Sequence, residues 1–242
     1  MRLDAVRVLG VPVDPVTEQE ALDFIALAIE SRGVTHLVTV NAEFVMQARR
    51  DPSFLRVLES ADLRTPDGAG VVRAMRRHGS TISGRVGGSD LIWSISEQAA
   101  RLGHRLFLLG GAPGVADAAG VRLRETYPGL QVVGTYPGSP RPEAAAEQIT
   151  LIRESRPDIL MVAFGSPRQD LWIAEHKESL RVPVSMGVGG SYDYVVGDAV
   201  RAPRWMQKLE LEWMWRLMRE PWRWRRMTVL PAFAWQAIVR GE

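Results

Sequence analysis

Short apolar runs alternate with amphipathic stretches through the first 200 positions of the chain. The runs at Val6–Leu9, His36–Val40, Leu63–Thr65, Arg105–Leu109, Gln131–Gly134, Ile159–Ala163 and Val182–Met186 read as strands. Helical periodicity fills Glu18–Glu30, Ala42–Arg49, Gly70–Arg77, Asp90–Leu102, Val115–Thr126, Pro142–Glu154 and Arg168–Lys177. Strands that alternate with helices predict an α/β fold with a mostly parallel sheet. The nearly unbroken apolar strands LFLL and ILMVAF predict helices on both of its faces.

Beyond residue 200 the pattern changes. Trp205, Leu209, Trp213 and Leu217 recur at helical spacing, and Met206, Leu211, Met214, Trp215 and Met218 widen the apolar face beyond an ordinary core stripe. Pro221 interrupts this helix. The expected organisation is an α/β core over 1–200 and a helical appendage over 201–242.

Charge divides the chain at the same place. Residues 1–200 hold 21 Lys+Arg against 24 Asp+Glu, whereas 201–242 hold 9 against 4 and six of the eight tryptophans. Tryptophan favours the headgroup level of a bilayer and arginine draws anionic lipid, so the appendage reads as an element for an anionic membrane surface. A helical hairpin packed on the sheet is the plainer reading of the same residues. Nucleic acid is not an expected partner, because Glu210, Glu212 and Glu220 break the basic stripe. The start MRLDAVRVLGVPVD is too polar for a signal peptide, and no stretch reaches the roughly 20 apolar residues of a span. The expected location is therefore cytoplasmic and peripheral. Absence of cysteine excludes disulfides, thiolate metal sites and a cysteine nucleophile. There is no Asp-x-Asp pair, and the four histidines (His36, His78, His104, His176) lack metal-ligand spacing and read as surface or boundary residues, so no metal and no cofactor is expected.

Ligands of such sheets gather beyond the carboxyl ends of the strands, where the polar and glycine-rich runs of this sequence fall. Asn41 in TVNAEF stands where a helix cap belongs, and its amide has donors to spare for a sugar hydroxyl. TPDGAGVV puts Asp67 at a helix start, as a cap or as a general base. RVGGSDL offers Arg85 for a surface ion pair or for bidentate grip of a diphosphate. FLLGGAPG carries Gly110 and Gly111 into a helix start suited to phosphate, though it is neither G-x-G-x-x-G nor a P-loop. GSPRQDLWI and GVGGSYD add Gln169, Asp193 and a further glycine turn.

In this order the segments TVNAEF, TPDGAGVV, RVGGSDL, FLLGG, GSPRQDLWI, GVGGSYD and RAPRWMQKLELEWMWRLMREPWRWRR resemble the WecG/TagA/CpsF glycosyltransferase family, from about residue 6 to residue 226. The resemblance implies an inverting, metal-independent transfer from a UDP-sugar, commonly of N-acetylmannosamine, to a polyprenyl-diphosphate-linked sugar at the inner face of a bacterial membrane. Products of such transfers feed teichoic acid, common antigen or exopolysaccharide. It implies Asp67 as the base, Thr39 and Asn41 in the sugar pocket, and Arg85 and Gln169 near the leaving diphosphate. The appendage arginines Arg216, Arg223 and Arg226 would approach the same diphosphate. TVN stands where the family often has TPN, Asp170 where it often has Glu, and SYD in place of a phenylalanine variant. A non-catalytic sugar-nucleotide-binding protein at the membrane is the alternative, and a homo-oligomer stays open.

Overall fold

The computed structural model describes residues 4–197, 202–203, 206, 212–219, 224 and 228–240. A two-stranded antiparallel ribbon comes first, β1 (Val6–Val8) with β2 (Val11–Val13). Helix α1 (Glu18–Glu30) follows, its start closed by a Thr17–Glu20 capping box. The main sheet then alternates with helices: β3 (Thr35–Val40), α2 (Ala42–Ala48), α3 (Pro52–Ser60), β4 (Leu63–Pro66), α4 (Ala69–Arg77), α5 (Gly88–Leu102), β5 (Arg105–Gly110), α6 (Val115–Thr126) and β6 (Gln131–Tyr136). It continues through α7 (Pro142–Ser155), β7 (Ile159–Ala163), α8 (Arg168–Leu180), β8 (Val184–Gly187) and α9 (Ser191–Val196). In the appendage, α10 (Glu212–Arg219) and α11 (Val229–Phe233) are described, and α11 runs on as a wider π-helix over Ala234–Arg240.

The six strands are all parallel, in the order β4-β3-β8-β7-β5-β6. Side chains alternate across the pleat, which sorts the core into two faces. Leu37, Leu106, Leu108, Ile159, Met161, Val184 and Met186 meet α1, α5, α6 and α9 on one face. On the other, Val38 and Val40 meet α2, α3 and α4, and Phe107, Leu109, Leu160 and Val162 meet α7 and α8. This is the doubly covered α/β sheet the sequence predicts.

Three elements escape the periodicity. β2 is only the three residues VPV, α9 is a short helix behind a glycine turn, and α3 spans nine residues. The signal for α3 was present, since Phe54, Val57 and Leu58 form its buried face and Asp51 and Pro52 open it. β1 belongs to the ribbon and not to the main sheet. The terminal helix is seated in the core: Phe233 and Ala237 are buried with α2, α3 and α4, and Gln236 accepts from Arg49.

Candidate functional site

Parallel register brings the first group of side chains together. Thr39 pairs with Thr65 and Val40 with Pro66, so Asn41 and Asp67 leave neighbouring strands at the same height. Asn41 is the cap of α2, its Oδ1 accepting from the Phe44 N–H at 3.0 Å. The cap and pocket expectations for this residue are compatible, because the amide nitrogen is not used by that bond. Asp67 comes next to Gly68, whose φ of 91° begins α4 without a side-chain cap. That positive φ is the backbone turn a glycine supplies at little cost.

The loop before α5 then folds over the strand ends. The Val86 N–H donates to Pro66 O at 2.7 Å and Thr65 Oγ1 to Val86 O at 2.9 Å, which pins Arg85 beside Asp67. Arg85 Nη1 lies 3.9 Å from Asp67 Oδ1, and its Nη2 lies 3.2 Å from Asp90 Oδ2. All three side chains are about one-quarter exposed, open to a ligand and partly shielded from water. Gly87 and Gly88 permit this approach. A Cβ on Gly87 would stand 2.5 Å from Asp67 Oδ1, and one on Gly88 would stand 3.5 Å from Thr39 Oγ1 and 4.0 Å from Ser191 Oγ. Thr39, Asn41, Asp67 and Arg85 therefore share one locale, to which the structure adds Asp90, the two glycines and Ser191 at the start of α9.

Gln169 enters differently. It is only 3% exposed, and its Oε1 accepts from the Gly189 N–H at 3.0 Å. It touches the site through the β8–α9 loop that it holds. Above that loop, a Cβ on Gly189 would meet nothing within 4 Å, so the backbone faces open space.

Gly110 and Gly111 lie four strands from β4, about 19 Å across the sheet at ~4.8 Å per strand. A Cβ on Gly110 would stand 2.7 Å from the Ala163 backbone, so this glycine serves the close pairing of β5 with β7. Gly111 packs toward Val115 and Tyr192 of α9 and donates its N–H to Ala163 O. They shape the far rim of the same edge and do not adjoin Asp67. Arg216 lies within α10, whereas Arg223 and Arg226 lie outside the described residues.

Along this edge, α4, α6, α7, α8 and α9 follow their strands with no side-chain cap on their first turns. The positive ends of these helices suit an anionic ligand, while backbone carbonyls already take the N–H groups of Val115, Gln169, Asp170 and Ser191. Among the described residues, no group of three or more His, Asp or Glu side chains is placed to hold a metal ion, and no helix is long and apolar enough to cross a membrane.

One buried group was missed by the sequence reading. His36 is not a surface or boundary residue but a core one, 1% exposed, because it alternates onto the sheet face covered by α8. There it meets the equally buried Asp170. Nothing local signals the pair, which joins β3 to a helix well over a hundred residues later.

The chain matches the model of the Glycosyl transferase WecG/TagA/CpsF family over residues 6–241. It is 34% identical over 206 residues to an N-acetylglucosaminyldiphosphoundecaprenol N-acetyl-beta-D-mannosaminyltransferase of Bacillus spizizenii, covering 85% of this chain and 79% of that one. A protein of the same description from Bacillus subtilis is 34% identical over 197 residues, covering 81% and 76% respectively.

Proposed function

Because the chain belongs to the WecG/TagA/CpsF glycosyltransferase family, we propose that it moves N-acetylmannosamine or a related hexose from a UDP-sugar to a polyprenyl-diphosphate-linked sugar. The transfer is a single inverting displacement without a metal ion. The observation that carries this reading is the Asp67 carboxylate beside the Arg85 guanidinium at the carboxyl ends of β3 and β4.

In this mechanism Asp67 takes the proton of the acceptor hydroxyl as its oxygen bonds to the anomeric carbon. The bond from that carbon to the UDP oxygen breaks with its electron pair, and the negative charge moves to the diphosphate. Arg85 stands next to the base, and Arg216, Arg223 and Arg226 supply further cations from the appendage. Donors already aimed at growing charge replace a Lewis acid, and the uncapped helix starts along this edge belong to the same field. Thr39 and Asn41 orient a sugar ring. The two Bacillus relatives are N-acetylglucosaminyldiphosphoundecaprenol N-acetyl-beta-D-mannosaminyltransferases, which supports N-acetylmannosamine as the sugar moved and a lipid-diphosphate N-acetylglucosamine as the acceptor.

The test incubates the protein with radiolabelled UDP-N-acetylmannosamine and a lipid-diphosphate N-acetylglucosamine in EDTA. A larger labelled lipid is expected, and Asp67→Asn should retain UDP binding while turnover falls at least about a hundredfold. UDP binding without any lipid product would favour a non-catalytic binding protein, and loss of product in EDTA would remove the metal-free mechanism.

Residues 201–242 would hold the enzyme on an anionic membrane surface, where its acceptor resides. Trp224 and Trp235 are each 56% exposed, Val239 is 55% exposed, and the segment carries an excess of arginine. Deleting the whole segment would strip Phe233 and Ala237 from the core, so the sharper variant is Trp224→Ser with Trp235→Ser. It should keep its thermal midpoint and sediment several-fold less with vesicles of anionic phospholipid. Unchanged sedimentation would remove these tryptophans from the interface.

A further inference from the structure

His36 and Asp170 form a couple sealed between β3 and the first turn of α8. Their side chains are each 1% exposed, with His36 Nε2 3.5 Å from Asp170 Oδ1. Among the described residues, none gives a hydrogen-bond partner to His36 Nε2 or to either Asp170 oxygen. A buried carboxylate in that condition is expensive unless something compensates its charge. Two things can: the imidazole opposite, and the amino end of α8, in whose first turn Asp170 stands. An apolar pair of similar size would fill this space at less cost, so packing alone does not account for the choice of residues.

The surroundings indicate what the couple holds. A Cβ on Gly187, at the end of β8, would lie 2.7 Å from Asp170 Oδ1 and 2.3 Å from Gln169 Nε2. Both side chains therefore press on the same strand end, which only a glycine leaves room for. Two residues further on, Gly189 gives its N–H to Gln169 Oε1. The contacts run without a gap from β3 through the couple to α8, Gln169, and the loop facing open space beside Ser191 and Thr39.

We infer that His36 and Asp170 are positioning residues: together they fix the first turn of α8 against β3, and through Gln169 they set the β8–α9 loop for a nucleoside diphosphate. This rests on the UDP-dependent transfer proposed above. Neither residue touches substrate, and a misplacement of about 1 Å at a binding loop can cost up to ~10²-fold in rate.

The experiment compares Asp170→Asn, His36→Gln and the double variant by UDP affinity, kcat, donor KM and thermal midpoint. Each single variant should weaken UDP and raise donor KM about tenfold, leaving acceptor KM unchanged. The double variant should cost no more in donor KM than the worse single, because the two act as one unit. It should also recover thermal midpoint relative to His36→Gln, which strands a carboxylate, without recovering donor KM. A purely structural pair would move the midpoint and leave UDP affinity and donor KM within twofold of wild type in every folded variant, and that result overturns the inference. Should the variants fail to fold, the ring signals of His36 in the ¹⁵N-labelled wild-type protein supply the reading. They should shift on adding UDP, and constancy at saturating UDP overturns it. If wild type neither binds UDP nor yields a labelled lipid product, the proposed function fails; if wild type binds UDP and Asp170→Asn binds it equally, only this inference does.

Discussion

At the amino-terminal edge of the main sheet, carboxylates close the backbone. Asp62 accepts from the His36 N–H at 2.8 Å, and Asp158 from the Arg105 N–H at 2.9 Å. Nearby, Asp14 takes the Arg64 N–H and two of its guanidinium donors at 2.8–3.0 Å. Each ties one strand to a neighbouring segment through a donor that cannot move away. At the opposite edge the same residue type faces movable partners. Asp67 and Asp90 share the Arg85 guanidinium, at 3.9 and 3.2 Å. A carboxylate bonded to a rigid N–H is a staple, while one set beside a cation and an open strand end retains the capacity to take a proton or to respond to a ligand. Identity of the residue does not separate the two uses; the partner does. A depression of ~460 Å³ lined by Arg32, Arg105, Glu154, Arg156 and Asp158 lies at the stapled edge. Its Arg105 is already spent on the carbonyls of Ser155 and Arg156 that end α7.

The largest contrast should come from one substitution made at both edges. Asp67→Asn is expected to lower turnover by ~10²–10⁴, the usual contribution of a general base, with stability nearly unchanged. If turnover survived, the carboxyl edge would hold no base at Asp67. A smaller effect sharpens the same point by geometry. The φ of Gly87 is −99°, which alanine adopts without strain, yet the new methyl would displace Asp67. Gly87→Ala should therefore lower turnover about tenfold while the thermal midpoint stays close to wild type. Parallel kinetics and calorimetry would detect the opposite pattern, a stability loss at full activity, which would make Gly87 a packing residue. The smallest effect belongs to the amino edge. Asp158→Asn should cost about 1 kcal/mol of stability by chemical denaturation, the scale of one hydrogen bond to a charged group partly replaced, with turnover within twofold.

How far the chain could be read varied with the range of the interaction involved. Strands and helices of the core were legible because side-chain period is a local property: Ile159–Ala163 and Val115–Thr126 occur where apolar spacing puts them. Short elements such as β2 and α9 carry too few residues for a period to register. The glycine and Asp motifs pointed to the strand ends, and Thr39, Asn41, Asp67 and Arg85 do meet there. Gly110 carried the same local signal and proved to serve strand pairing four strands away.

By itself, then, the sequence determined the α/β class, the positions of the loops that gather at one edge, and the change of charge and tryptophan content near residue 200. Tertiary structure alone decided which loops are neighbours, since the order β4-β3-β8-β7-β5-β6 is a choice among packings that local periodicity leaves equal. It decided that His36 is interior and opposite Asp170, and that Phe233 lies against the first turn of α4, with Cε1 3.2 Å from where a Gly70 Cβ would be. The physical reason is range. Backbone preference and amphipathic period act over a few residues, whereas burial of a particular side chain depends on segments far along the chain that only folding brings within contact distance.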